Sequence, residues 1–448
     1  MPEPRDEWMD DRDPDDYVVL QVPAEFRSVT FKAVDITIRG FFDAFRAGQI
    51  DLEPDFQREY VWDPGKASRF IESVMLGLPV PPVFLADEAG AAQVVIDGHQ
   101  RLETLFRFLQ PLLQGPLAAG GGAQHLQDLP LLTLTQLQVL TELNNRSIKD
   151  LSIEDRKRFW DRPLSAIILP AETHPDMKYV MFARLNLGSM SLNSQELRNC
   201  LYRGPYNRLI LRLAESHDFL TLWGKRQPDK RMSHRELVLR AFALFHRLDR
   251  YRTPYRLFLN DEMEENRDIN KAKSQQFTTE FTSAVRWIQS VFGNEALRLF
   301  VVGGSGGQGG DWQRQRHKLV YEASMVGFLE FHPKLDQISA DVDAVDRWEV
   351  PQALRRQLVS LMADARFRAT LTEGTSHASK LRERISLWRD AVKSFVESPE
   401  SPIQEFKLVH TLLSNSNHCF TCSGTVHLDD AVIRPGGGGV AHRSCSRN

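Results

Sequence analysis

The chain has 448 residues, 42% hydrophobic and 26% charged, the balance of a globular protein, and no run of ~18 apolar residues offers a membrane span. Its formal net charge of -3 removes any whole-chain electrostatic argument for nucleic acid, so a basic surface has to be local. Of four cysteines, Cys200 stands alone and Cys419, Cys422 and Cys445 cluster after residue 418; that excludes a disulfide framework and points to a metal site in a reducing, cytoplasmic compartment.

Residues 1–16 read as a solvated acidic tail rather than a targeting peptide. Residues 17–190 mix strand and helix signals. Asp63 is a good N-cap, Pro64 fits the first helical position and Gly77 can end the helix; Phe70, Ile71, Val74 and Met75 give it an apolar stripe at helical spacing. "PPVFLAD" and "AQVVIDG" flank a turn composition and predict a β-hairpin, and "LAAGGGAQ" predicts a surface loop.

"VVIDGHQRLETLFRF" (94–108) then runs from a strand through Asp97-Gly98 into a helix whose apolar face is Leu102, Leu105, Phe106 and Leu109. Gly98 accepts backbone angles that other residues resist. The first helical turn presents unpaired amides and the positive end of the helix dipole, which favours anions. Arg101 brings a planar, permanent charge suited to phosphate, and His99 and Gln100 add further donors. Asp97 is left three roles: holding a metal, orienting a water or pinning Arg101. The bland alternative is an Asp-Gly turn before a solvated helix.

From 191 to 396 the pattern is nearly all helical. Asn193–Glu196 and Ser233–Glu236 read as capping boxes. "GGSGGQGG" (303–310) lacks the Lys-Ser or Lys-Thr of a phosphate loop and reads as a plain flexible segment. Residues 397–417 read as a linker and a helix. In 418–448, Cys419-Phe-Thr-Cys422 and His442-Arg-Ser-Cys445 are two short-spaced pairs that together make a closed tetrahedral zinc site, with His418 or His427 as alternatives to His442.

"FQREYVWDPGKASRFIESVMLGLPVPPVFLAD", "VVIDGHQRLETLFRF" and "VMFARLNLGSMSLNSQELRNCLYRG" together resemble the N-terminal domain of GmrSD-type, modification-dependent restriction systems, related to the ParB and sulfiredoxin superfamily. "RELVLRAFALF" and "YRLFLNDEM" extend the likeness to roughly residues 30–390. The family signature Asp-Gly-Gln-Gln-Arg stands here as Asp97, Gly98, His99, Gln100 and Arg101, with His99 in place of the first Gln. The resemblance implies an α+β fold: a ParB/sulfiredoxin-like domain, a mostly helical domain and a small zinc module. It implies a nucleoside triphosphate bound and hydrolysed with Mg²⁺ in a restriction-like or phage-defence system acting on or near DNA. Asp97, Gln100 and Arg101 are the expected catalytic residues, Asp97 also being a candidate Mg²⁺ ligand. Arg58, Lys66, Arg69, Gly98, His99 and Asn186 are expected around the phosphates, although Arg58 has Asp55 and Glu59 as rival partners and Lys66 and Arg69 suit a solvated face.

The last segment resembles an HNH treble-clef module in which the Asp-His pair falls on Ala431 and Val432. That implies a surviving Zn²⁺ scaffold, held by Cys419, Cys422, His442 and Cys445, without the nuclease centre unless Asp429, Asp430 or His427 substitutes. It also implies a partner nuclease, and leaves Arg434, Arg443 and Arg447 for DNA phosphate. The competing reading is a non-catalytic DNA-binding sensor.

Overall fold

In the computed structural model, β1 (Lys32–Thr37) runs directly into α1 (Ile38–Arg46), because Thr37 ends the strand in extended backbone and its hydroxyl accepts the Gly40 amide. The structure describes residues 30–52, 60, 62–87, 92–112, 131–173, 177, 181, 193–229, 232–302, 310–344, 346–372, 374–419, 422, 425–433, 439–443 and 445. They divide into two units, with the boundary between Tyr202 and Arg203. No helix among these residues is long and apolar enough to cross a membrane.

The first unit continues through β2 (Ile50–Asp51), α2 (Pro64–Leu76), β3 (Val83–Ala86), β4 (Gln93–Asp97), α3 (His99–Leu109), α4 (Ile153–Trp160), β5 (Pro163–Leu169) and α5 (Ser194–Leu201). Its five strands lie in the order β1-β5-β3-β4-β2. The β1–β5 and β3–β4 pairs are antiparallel; β3–β5 and β2–β4 are parallel. The expected hairpin is therefore the centre of a mixed sheet. Phe41, Phe42 and Phe45 of α1, Ile71 and Val74 of α2, and Leu102, Leu105 and Phe106 of α3 pack with Val83, Leu85 and Val95 in one core.

The predicted boundaries of α2 hold for the predicted reasons: Asp63 accepts the Lys66 amide at 2.9 Å, Pro64 opens the helix, and Gly77 closes it at φ 74°. Helix α3 departs from the expected amphipathic pattern, since every residue from Leu102 to Leu109 is buried, Glu103 and Arg107 included. α5 begins with the predicted capping box: Asn193 accepts the Glu196 amide at 2.8 Å and Glu196 accepts the Asn193 amide at 2.7 Å.

The second unit contains α6 (Pro205–Ala214), α7 (His217–Trp223), α8 (Ser233–Arg247), α9 (Tyr255–Asn266), α10 (Lys271–Phe292), the ribbon β6 (Arg298–Val302) and β7 (Gly310–Arg316), α11 (Lys318–Asp341), α12 (Glu349–Ala363), α13 (Ala365–Ala369), α14 (Ala378–Glu397), α15 (Glu400–Asn415), and the ribbon β8 (Ala431–Ile433) and β9 (Val440–His442). At its centre Glu322, 1% exposed, accepts from Arg240 (2.9 Å), Tyr255 (3.0 Å) and Arg384 (3.2 Å), joining α8, α9, α11 and α14. A carboxylate so buried persists only with such compensation.

Two expectations change here. Ser233 does not cap α8; Met232 does, in left-handed backbone, while Asp229 accepts the Ser233 amide and Glu236 turns to Arg240. An acceptor four residues upstream outcompetes the local box. The near-helical reading of 191–396 also omitted the β6–β7 ribbon, whose "RLFVV" strand pairs antiparallel with "GDWQRQR". Most of the glycine-rich stretch, 303–309, lies outside the described residues. α14 and α15 are separated by Ser398 and Pro399 alone.

In the first unit Glu72 of α2, nearly buried, accepts the amides of Gln138 (3.0 Å), Val139 (2.7 Å) and Leu140 (2.8 Å), fastening the 131–140 segment. Burial pushes its pKa up, but the three N–H donors outweigh it and the net shift is downward. Its contribution is therefore present above the ordinary carboxylate range and lost on acidification below it. Glu72→Ala is expected to cost about 2–4 kcal/mol at neutral pH in denaturant unfolding; a loss under about 0.5 kcal/mol contradicts this role.

Candidate phosphate corner and metal centre

The corner at the end of β4 is built by one carboxylate. Asp97 Oδ1 accepts the Gly98 amide at 2.8 Å, and its Oδ2 accepts Arg101 Nη2 at 2.8 Å. Arg101 Nη2 also donates to the Pro82 carbonyl at 3.2 Å, tying α3 to the chain entering β3. Gly98 caps α3 at φ 106°, and a Cβ there would sit 3.2 Å from both Val83 methyls. The backbone angle favours glycine, and any Cβ would also crowd Val83.

Of the three roles open to Asp97, the pin is the one its present contacts display. Arg101, whose side chain is 14% exposed, is half committed. Its Nη2 edge faces protein, and its Nη1 makes no hydrogen bond among the described residues. Gln100 is half-buried, with its carbonyl taken by the Thr104 hydroxyl at 2.6 Å. His99 is buried: Nε2 lies 3.0 Å from the Leu52 carbonyl and Nδ1 lies 3.5 Å from Glu103 Oε2.

Below His99 is a cluster that the motif did not reveal. Glu103 is 1% exposed, and neither carboxyl oxygen has a hydrogen-bond partner among the described residues. Burial raises its pKa to about 7, against the opposing pull of Arg107. Arg107 stacks over the Tyr60 ring at 4.2 Å, and the Tyr60 hydroxyl meets Thr104 at 2.9 Å. The available sequence signal was an acid and a base, Glu103 and Arg107, set among Leu102, Leu105, Phe106, Phe108 and Leu109.

The remaining candidates stand apart. Lys66 is exposed and lies over the Trp62 ring at 5.0 Å; Arg69 donates to Gln136 at 3.4 Å. Neither is hydrogen-bonded or ion-paired to the corner among the described residues, so the solvated and structural alternatives describe their present contacts. Arg58 and Asn186 lie outside the described residues.

Residues 38–203 match the family model described as GmrSD restriction endonuclease, N-terminal domain. The chain carries a GmrSD-type N-terminal domain. The match ends at the boundary between the two structural units. The expected likeness beyond residue 203, including "RELVLRAFALF" and "YRLFLNDEM", is not part of it. No curated protein and no solved structure matches the chain.

Outside the GmrSD-type domain, Cys419, Cys422, His442 and Cys445 bring their ligand atoms within 4.8 Å of one another. His442 Nδ1 is 3.3 Å from the Cys422 sulfur and 3.8 Å from the Cys445 sulfur. Tetrahedral zinc with ordinary Zn–S and Zn–N bonds has edges of about 3.5–3.8 Å, so the set fits such a metal. The Thr425 carbonyl accepts from His442 Nε2 at 2.9 Å, which turns the Nδ1 lone pair toward the thiols. This selects His442 over the two alternative histidines: His418 bridges to Thr425 through backbone, and exposed His427 is outside the cluster.

The cluster is fastened to the helices behind it. Arg355 of α12 grips both oxygens of Asp429, and Trp312 Nε1 donates to Asp429 at 2.8 Å. Arg356 donates to the carbonyls of Leu428 (3.0 Å) and Ala431 (3.1 Å). Arg443, expected at DNA phosphate, instead donates to the Asp429 carbonyl and Ser360; Arg434 and Arg447 lie outside the described residues. Ala431 and Val432, where an HNH pair would stand, are ordinary strand partners of His442 and Ala441. Asp429 is held by Arg355, and buried Asp430 accepts the Arg443 amide at 3.2 Å, so both acids are engaged in structural contacts. Cys422→Ser is expected to abolish stoichiometric metal content, measured by elemental analysis, and to lower the thermal midpoint by several degrees; wild-type protein without metal, or a variant melting like wild type, contradicts a structural metal.

Proposed function

We propose that the GmrSD-type domain binds a nucleoside triphosphate at the first turn of α3 and hydrolyses it, as the nucleotide-driven component of a cytoplasmic, restriction-like phage-defence system acting on or near DNA. The carrying observation is the corner itself: a positive-φ glycine delivers a helix N-terminus whose orientation is fixed by the Asp97–Arg101 brace. Amides held in this way suit a phosphate oxygen and need no reorganisation when charge develops. The family match over residues 38–203 supports the same reading.

Phosphoryl transfer depends mainly on positioning and charge neutralisation. Arg101 supplies a fixed positive charge, and Gln100 is the candidate for orienting the attacking water. Lys66 and Arg69, and by the family resemblance Arg58 and Asn186, are the candidates for phosphate contact. Mg²⁺ arriving with the nucleotide would neutralise phosphate charge, with Asp97 as the chain's candidate oxygen ligand, directly or through water. Zn²⁺ in the Cys₃His cluster serves as a staple of the second unit, and DNA cleavage is left to a partner nuclease because Ala431 and Val432 can neither activate water nor bind metal.

One observation favours a second reading. Contacts with Asp97 and the Pro82 carbonyl fix Arg101 in place, as suits a passive grip on the DNA backbone by a non-catalytic sensor. The two readings separate by a salt-dependent DNA shift that persists without nucleotide. Under the enzymatic reading, wild type releases phosphate from a nucleoside triphosphate with Mg²⁺, and Arg101→Ala lowers that rate by about a hundredfold or more while remaining folded. Wild type that binds no nucleotide at millimolar concentration, or an Arg101→Ala variant as active as wild type, contradicts it.

A further inference from the structure

The GmrSD-type signature enters this chain with His99 at its third position, and the structure supplies a reason for that residue to carry Glu103 beneath it. His99 is set between two acceptors: the Leu52 carbonyl at 3.0 Å from Nε2 and Glu103 Oε2 at 3.5 Å from Nδ1. A neutral imidazole has a single N–H. The carbonyl has no proton to give and therefore takes Nε2–H. Nδ1 is left as a lone pair facing a carboxyl group that accepts nothing else among the described residues. Two lone pairs enclosed together repel unless a proton lies between them.

We propose that Glu103 is a positioning residue for the corner: its carboxyl carries a proton that it shares with His99 Nδ1, fixing the imidazole on the Leu52 carbonyl, and loss of that proton weakens the hold of α3 on an anion. Among the described residues, the groups facing the carboxyl are His99 and Arg107 on α3 and Tyr60 from the segment before α2, and no ion pair reaches it from α2. With the proton in place the pair is neutral. Without it, a buried negative charge sits one helical turn behind the amides that would receive phosphate, about 5–6 Å along the axis. The proton moves from the shared position to solvent, and the pair changes from neutral to singly negative.

The inference rests on the nucleotide reading for its ligand, and its test has parts that do not. Because the carboxyl titrates near pH 7 rather than in the ordinary carboxylate range, the native state keeps a proton that the unfolded chain has already released. Wild-type stability therefore falls as pH rises across that interval. Glu103→Gln keeps the volume and hydrogen-bonding capacity of the protonated acid and should remove the fall.

In full-length, ligand-free protein labelled with ¹⁵N-histidine, the His99 ring signals should step between about pH 6 and about pH 8.5, and the step should vanish in Glu103→Gln. Calorimetry with ATP, and separately with inorganic tripolyphosphate, should show wild type losing several-fold more affinity over that range than the variant. His99 signals that titrate alike in both proteins, or equal losses of affinity, overturn the proposal. If neither anion binds wild type at either pH, the nucleotide reading and the anion coupling both fail, whereas the His99 signals still decide whether Glu103 holds the proton.

Discussion

The N-terminal unit turns on a single carboxylate. Asp97 stands at the end of the central hairpin's second strand and spends one oxygen on the amide of Gly98 and the other on the guanidinium of Arg101. These contacts hold a glycine at an angle other residues resist, launch α3, and lock the first turn against the Pro82 carbonyl. The helix then drives Leu102, Leu105 and Phe106 into the core shared with α1 and α2. Packing and site are therefore coupled: a change that frees Arg101 for a ligand also loosens the turn that aims the helix.

That coupling explains a division within the signature. Asp97, Gly98 and the Nη2 edge of Arg101 belong to the framework. Under the proposed function, Gln100 and the amides of the first turn would form the receiving face. His99 belongs to neither alone, since its ring reaches back to the Leu52 carbonyl and down to Glu103. A motif read as one binding unit contains, physically, a brace at Asp97 and Arg101 and a buried His99–Glu103 contact.

What was legible in the sequence was local. The start and stop of α2, the β3–β4 hairpin and the Asn193–Glu196 box each depend on partners within a few residues, and each formed as expected. Ser233 misled because Asp229, just outside its box, took the amide. The cysteine spacing gave the metal ligands, and the Thr425 carbonyl then distinguished among the histidines. Illegible were the acids whose partners lie far along the chain: Glu72 with the 138–140 amides, Asp429 with Arg355, and Glu322 with Arg384. Glu103 was illegible for a different reason, because burial rather than spacing gives it its character. Arg443 shows the same limit from the other side: a basic residue in a small metal module reads as a phosphate contact until the structure turns it onto Ser360.

Under the proposed function the first turn of α3 receives a phosphate. The most direct measurement follows the backbone amide resonances of His99, Gln100 and Arg101 in full-length protein during titration with ATP and Mg²⁺. Saturable shifts are expected at these three amides, with the Gly98 amide, already bonded to Asp97, moving least. Saturable binding that leaves all three unmoved and shifts resonances elsewhere would contradict it.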